Sequence, residues 1–385
     1  MNIIHTSIIF FCCFLVSTVF ANDRQALPLF STSSIEKKIL FEDSTVEKTE
    51  PSPYSGNINK VKFGVYIVNI SDIDFPKNEY HVKLWGWAVH NMKKLETETG
   101  FEVSNAKSTP NFTNFFRTEY DDVIWDQFFV STVIFQRWET QYYPFDSQKL
   151  NITIEPIEYE TDELILVPDT EESRLAPNLE LNGWAITNFE IKNELAVYHT
   201  TSGDPKAKKG SSSTYSKINI IVTIKRYGGT TFSFLFIGMF MGSFLIVLTL
   251  LSNIYNTGKE FIGGALVVAI GSQYIINSNL PTGAAFGFSH TVGIITFSGL
   301  ALVAILTTFH NKIMLILDQN TNSTNVSVST GVYDSDDKNL MINAASKKAQ
   351  AKKWLKISIT LNWILLILFI FAHVYINGYL MLYTS

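Results

Sequence analysis

The chain changes its hydrophobic rhythm part-way along. From Lys60 to about Lys225, short runs of β-branched and aromatic residues are broken by turn residues. Val61 to Val68 is one such run, and His81 to Val89, Val123 to Trp138, Lys149 to Ile154, Trp184 to Ile191 and Lys217 to Ile224 are others. No helical period of any length interrupts them, so the pattern predicts an antiparallel β-sandwich over 59–226. The second half carries four long apolar runs instead: Phe232 to Leu251, Phe261 to Ile276, Thr291 to Phe309 and Ile357 to Leu382. At a helical rise of about 1.5 Å per residue, runs of this length cross a bilayer. They predict a transmembrane domain over 227–385, with spans near 231–252, 259–278, 290–311 and 354–382.

The ends and the joints follow from polarity. The apolar stretch Ile8 to Phe20, closed by Val19-Phe20-Ala21 and followed by Asn22-Asp23-Arg24, reads as a cleaved signal peptide over 1–21. Residues 22–58 are polar, hold Pro51-Ser52-Pro53, and read as a flexible leader. A secreted sandwich and four spans leave the third-to-fourth loop in the cytoplasm. Lys347, Lys348, Lys352 and Lys353 stand at its distal end, as the positive-inside rule requires. The rest of that loop, about 318–346, is Asn/Ser/Asp-rich and is expected to be disordered.

Composition narrows the chemistry. Aromatics make up 14 % of the residues, and the net charge of −5 shows no clustered basic face, which argues against nucleic acid as a partner. The two cysteines, Cys12 and Cys13, both lie in the expected signal peptide, so a cleaved chain has no thiol chemistry. The histidines do not cluster at metal-ligand spacing, and no phosphate loop or hydrolase elbow occurs. No enzyme activity, metal or cofactor is expected. Three sequons, Asn69, Asn111 and Asn151, face outside in this topology.

Four signatures then stand in order: Tyr143-Pro144-Phe145-Asp146-Ser147-Gln148-Lys149-Leu150, Asn182-Gly183-Trp184-Ala185-Ile186, Lys225-Arg226-Tyr227, and Asn279-Leu280-Pro281 after the second span. On these the chain resembles the pentameric ligand-gated ion channels over roughly 60–382, and is most similar to their bacterial, cysteine-less members, including the proton-gated type. The resemblance implies a multidomain membrane protein: an extracellular antiparallel β-sandwich followed by a four-helix transmembrane bundle, assembled as a homopentamer. It places the chain in the plasma membrane, or the inner membrane of a bacterium, surrounded by membrane lipid. A small extracellular ligand or protons would open it, and permeant monovalent cations would pass. The same fold could also serve a non-conducting, membrane-anchored ligand sensor.

The resemblance also suggests roles. The loop around Pro144, Phe145 and Asp146 would press on the linker between spans two and three, stiffened by Pro281. Asp146 would pair with Arg226, with Asp72 and Asp74 as further partners. The second span would line the pore. At about 100° per residue, Glu260, Gly264, Val267, Gly271, Tyr274 and Ser278 fall within about 80° of one another. Five copies of Glu260 would form a carboxylate ring that favours cations, and Val267 would form a hydrophobic gate. A small helix rotation would expose Lys259, Leu266, Ile270, Gln273 and Asn277 instead, and Glu260 could simply pair with Lys259. Trp85 matches a ligand-site position on the complementary face; Tyr159, Tyr198 and Tyr215 are candidates on the principal face. Aromatics in sandwich strands also fill cores, so each of the four has that ordinary reading beside it. Lys206, Lys208 and Lys209 make the hairpin tip basic, which leaves an acidic ligand as open as an amine.

Several positions depart from the family pattern. Asn256 stands where the proton-gated type has its mouth glutamate, His90 where a core tryptophan is usual, and the first span has no proline.

Overall fold

The computed structural model describes the backbone of residues 58–95, 97–108, 110, 112–200, 203, 205, 210–251, 258–329 and 335–384. The expected signal peptide, the leader up to residue 57, Asn111, Asn256 and the hairpin lysines Lys206, Lys208 and Lys209 lie outside the described residues. So do the side chains of Lys259 and Glu260.

The chain divides into two compact units. A sheet unit holds 58–139 and Ser147–Tyr227; a helical unit holds Thr140–Asp146 and 228–384. The short Thr140–Asp146 loop therefore groups with the helices although strands flank it in sequence.

The sheet unit contains β1 (Asn59–Asp74), β2 (Glu79–His90), α1 (Thr97–Gly100), β3 (Phe101–Val103), β4 (Phe112–Tyr120), β5 (Val123–Phe135), β6 (Ser147–Pro156), β7 (Leu164–Pro168), β8 (Arg174–Leu175), β9 (Trp184–Tyr198) and β10 (Ser213–Arg226). One sheet runs β4-β5-β2-β1-β7, with β8 also on β1; the other runs β3-β6-β10-β9. The pairing is antiparallel, as expected, except that β7 and β8 lie parallel to β1. The long chain path through the intervening strands supplies the crossover that parallel neighbours need. β2 alternates strictly between buried and half-buried positions from Glu79 to His90, the period of a strand with one face in a core. Val61, Phe63, Val65 and Ile67 of β1 face Leu150, Ile152 and Ile154 of β6 and Ile218, Ile220 and Val222 of β10 across that core, all almost fully buried. Each such side chain contributes roughly 1.5–3 kcal/mol by leaving water.

One end of the larger sheet is organised by a buried charge. The Asp126 carboxylate, on β5, accepts from Arg117 Nε at 2.7 Å and Arg117 Nη2 at 2.8 Å. His90 Nε2 lies 2.9 Å from it, and the Thr97 hydroxyl also donates to it. The Met92 amide donates to His90 Nδ1 at 3.2 Å, which leaves the imidazole proton on Nε2, facing the carboxylate. Arg117 Nη2 reaches on to the Leu95 carbonyl at 2.7 Å. Thus His90 is built into a hydrogen-bonded cluster spanning β2, α1, β4 and β5.

The helical unit contains α2 (Gly228–Leu251), α3 (Gly258–Ser278), α4 (Phe288–Ser329) and α5 (Ser335–Thr384). Each is long and apolar enough to cross a membrane, over Gly228–Leu251, Phe261–Ser278, Phe288–Asp318 and Ala345–Ile376. Within the expected loop at 318–346, α4 continues to Ser329 and α5 begins at Ser335. Helix once nucleated gains a hydrogen bond per added residue, and the Ala/Lys/Gln run from Ala344 to Lys353 is made of strong helix formers. Small residues set the helix packing. Gly242 of α2 meets Ala265 and Ala269 of α3, and Ser272 Oγ donates to the Leu235 carbonyl at 3.0 Å. Ser243 Oγ on α2 lies 2.9 Å from His373 Nε2 on α5, and Asn362 Nδ2 donates to the Leu250 carbonyl at 2.7 Å.

Burial opposes ionisation of Asp126, yet its hydrogen bonds from Arg117, His90 and Thr97 hold the carboxyl well below the usual carboxylate range. A depressed folded-state pKa adds stability above the unfolded value near 4, and that stability fades as pH falls through the folded value. Arg117→Met strands the carboxylate and is expected to cost about 3 kcal/mol, read as a lowered unfolding midpoint at pH 7. The gap between variant and parent should narrow as the pH drops below about 4.

Candidate functional site

The Thr140–Asp146 loop is a compact turn. Tyr143 N–H donates to the Thr140 carbonyl at 3.1 Å and Phe145 N–H to the Tyr142 carbonyl at 2.7 Å. The Tyr143–Pro144 peptide is cis. Pro144 and Asp146 are buried, and the Phe145 ring lies among helix aromatics: 5.3 Å from Phe232 of α2 and 6.4 Å from Phe288 of α4. Phe288 N–H, at the start of α4, donates to the Gln141 carbonyl at 2.9 Å. Gly287 makes this approach possible, since a Cβ there would sit 2.3 Å from the Gln141 oxygen. The linker before it turns at Pro281, which is buried three residues past the end of α3 and whose carbonyl accepts from Ala284 N–H at 3.0 Å. Gly283 takes φ 79°, the left-handed position of that turn.

Within the sheet unit, Arg226 ends β10 with its guanidinium over two rings. Its Cζ lies 4.0 Å from the Trp184 ring centroid and 4.6 Å from that of Phe75. Phe75 in turn stacks on Trp138 at 4.4 Å with 5° between the planes. The cation is thus held by a cation–π cage from β9, the β1–β2 turn and the end of the β5 segment. The turn acids are engaged locally. Asp74 caps the turn by accepting from Lys77 N–H at 2.8 Å, and Lys77 Nζ lies 3.0 Å from it. Asp72 occupies a bulge at φ 52°, a left-handed position that Asp tolerates, with its carboxylate bonded to Ser71 at 2.9 Å.

On α3 the two faces are distinct. Ala265, Ala269, Ser272 and Ile276 are buried against the other helices. Opposite them Gly264, Val267, Gly271, Tyr274 and Ser278 are exposed, with Val267 at 71 % and Tyr274 at 74 % the most open of the apolar side chains on this helix. Leu266, Ile270 and Asn277 flank this stripe and are also exposed, whereas Gln273 is half-buried, its amide bonded to Asn277 at 2.9 Å.

The hairpin of β9 and β10 brings Tyr198 and Tyr215 together, edge to face with centroids 5.8 Å apart. Tyr198 Oη donates to Glu155 Oε2 at 2.6 Å, and Ser104 Oγ donates to the other oxygen of Glu155 at 2.9 Å. The bond to Glu155, burial and the nearby charges of Glu155 and Glu102 push the Tyr198 phenol up to about 12, so it stays protonated and donating. Burial and Glu160 raise Tyr215. Tyr159 lies half-buried in the segment after β6, whose Thr161 amide donates to the Thr214 carbonyl of β10 at 2.9 Å. Trp85 is on the other sheet, half-buried, with its ring 5.2 Å from Phe129.

Three features escape a reading of the sequence alone. Glu155 is a carboxylate at a buried position of β6, a signal visible only once the strand is fixed. Phe75 and Trp184 lie against the Arg226 guanidinium, with Trp138 stacked on Phe75 behind it. Gln148 bonds the backbone at the loop base.

Residues 102–227 match the model of the neurotransmitter-gated ion-channel ligand-binding domain. No curated protein matches the chain significantly. A domain of this kind ahead of four helices long and apolar enough to cross a membrane supports a ligand-gated channel and fits a multi-pass membrane protein with an extracellular ligand-binding domain. The matched domain and the four helices together fit a pentameric ligand-gated ion channel, a family that is non-enzymatic and whose members are oligomers that bind small ligands.

Gly287→Ala forces the Gln141 backbone to shift. Overpacking of this kind is expected to cost about 2 kcal/mol, read as a lowered melting temperature of the purified protein. Substituting Ala at Gly283, whose missing side chain faces open space, gives the comparison for backbone strain alone.

Proposed function

We propose that the chain forms a homopentameric cation channel whose pore is lined by α3 and whose sheet unit opens it on binding a small amine. The observation that carries the reading is the exposed α3 stripe of Gly264, Val267, Gly271, Tyr274 and Ser278, facing away from the helices of its own subunit. A membrane helix with such a face needs either neighbours or water, and a fivefold ring supplies both. Val267 then gives an apolar constriction. Glu260, one turn before Gly264, gives a ring of carboxylates at the mouth that attracts cations and repels anions. The membrane is the plasma membrane, or the inner membrane of a bacterium, with lipid around the bundle.

What supports an amine is the charge at the tyrosine pair. Glu155, Glu102 and Glu160 set a negative field around Tyr198 and Tyr215, and two adjacent aromatic faces suit an ammonium. Tyr159 completes this face and Trp85 comes from the neighbouring subunit. Gating passes through Pro144, Phe145 and Asp146 to the linker at Pro281. Arg226, with Asp146 and the turn acids Asp72 and Asp74, holds the strand ends while they move.

Currents from purified protein in planar bilayers test this, with a panel of primary and quaternary amines and a pH series. The wild type is expected to conduct sodium and potassium over chloride. Glu260→Gln should shift the reversal potential toward that of chloride, and unchanged selectivity would remove the carboxylate ring. Tyr198→Ala should raise the half-activating amine concentration about tenfold, the worth of a cation–π contact of 1–2 kcal/mol. Silence across both series would favour a non-conducting sensor.

A further inference from the structure

Gln148 is the second residue of β6 and is 1 % exposed. Its side-chain amide lies against the backbone of Glu139 on the far side of the loop. Glu139 N–H donates to Gln148 Oε1 at 3.0 Å, and Gln148 Nε2 donates to the Glu139 carbonyl at 2.8 Å. The chain leaves the sheet unit after Glu139 and returns to it at Ser147, so this one amide closes the neck of the Thr140–Asp146 loop. Nothing covalent can do so, because the only cysteines are Cys12 and Cys13. An amide suits this position because it offers an acceptor and a donor side by side, matching the N–H and C=O of one residue.

The other side of Gln148 is tied as firmly. It pairs with Ile224 of β10, two residues before the caged Arg226, and β10 leads through Tyr227 into α2. Trp138, next to Glu139, is fixed by its stacking on Phe75 and by donating Nε1–H to the Asp74 carbonyl at 3.2 Å. Without the amide the stems at Glu139 and Ser147 would be joined only through the loop itself, and an open segment of this length has many conformations. With it, the loop moves as a closed ring.

We propose that Gln148 is a positioning residue for gating, a hydrogen-bonded clasp that makes the Thr140–Asp146 loop follow β6 as a rigid body. The gating part of this rests on the channel reading above; the clasp itself does not. Gln148 acts through the loop and touches neither ligand nor permeant ion.

The test is residue-resolved hydrogen exchange on the full-length protein in detergent, beside bilayer currents evoked by propylammonium. Gln148→Leu is expected to speed exchange across residues 139–146 at least tenfold, and also at the Phe288 amide, whose acceptor is the Gln141 carbonyl. Exchange in β10 over 218–224 should stay within twofold. Gln148→Glu keeps the acceptor and loses the donor, so it should protect the Glu139 amide while the rest of the loop loosens. The maximal current of Gln148→Leu should fall at least fivefold. Unchanged exchange in the loop, or an equal rise everywhere, would overturn the clasp. Faster loop exchange with a full current would overturn its part in gating. A wild-type protein that never conducts would overturn the channel reading instead, leaving exchange to decide the clasp.

Discussion

The ring of Phe145 lies 5.3 Å from Phe232 and 6.4 Å from Phe288, and much of the remaining structure is arranged to allow it. Aromatic pairs of this kind contribute about 0.5–1.5 kcal/mol each beyond the area they bury. Glycines make the room: a Cβ on Gly228 would meet the Phe145 ring at 2.5 Å, and one on Gly287 would meet the Gln141 carbonyl. The first residue of α2 and the residue before α4 are thus both kept small for a loop that strands β5 and β6 supply. Phe232 and Phe236 continue the cluster down α2, and Phe236 reaches Phe288 at 5.5 Å. The loop leaves the strands after Glu139, rejoins them at Ser147, and is close-packed among the aromatics of the helical unit to which it belongs.

Charge divides into two kinds of site. The buried carboxylate of Asp126 is saturated by hydrogen bonds from Arg117, His90 and Thr97 and fixes the fold. At the hairpin Tyr198 donates to Glu155, and Glu102 and Glu160 add negative charge near a tyrosine pair that is only partly covered. Arg226 belongs to neither kind, since the faces of Trp184 and Phe75 hold it and leave its in-plane donors to other partners.

Much of the fold is legible in the sequence because period and length are local properties. The alternation of β2 and the apolar runs of the four helices need no tertiary information. The loop is legible too, as Tyr143-Pro144-Phe145-Asp146 combines a fixed φ, an apolar plug and a carboxylate. What stays hidden depends on partners far apart in sequence. The parallel pairing of β1 with β7 joins Asn59 to Leu164, and Glu155 meets Tyr198 only when β6 and the hairpin are side by side. The helical ends of α4 and α5 run past the expectation because an Asn/Ser-rich composition says little about a helix already nucleated. The α3 stripe follows from angle alone. Its residues are exposed, and the competing flank is exposed in part.

The central claim is that the loop couples sensing to the pore through Phe145, and Phe145→Ala tests it most directly. Amine binding to the purified variant and its current at saturating amine are measured side by side. Binding within threefold of wild type with at least a tenfold loss of maximal current is the predicted result. Full current from a variant that binds normally would contradict the account.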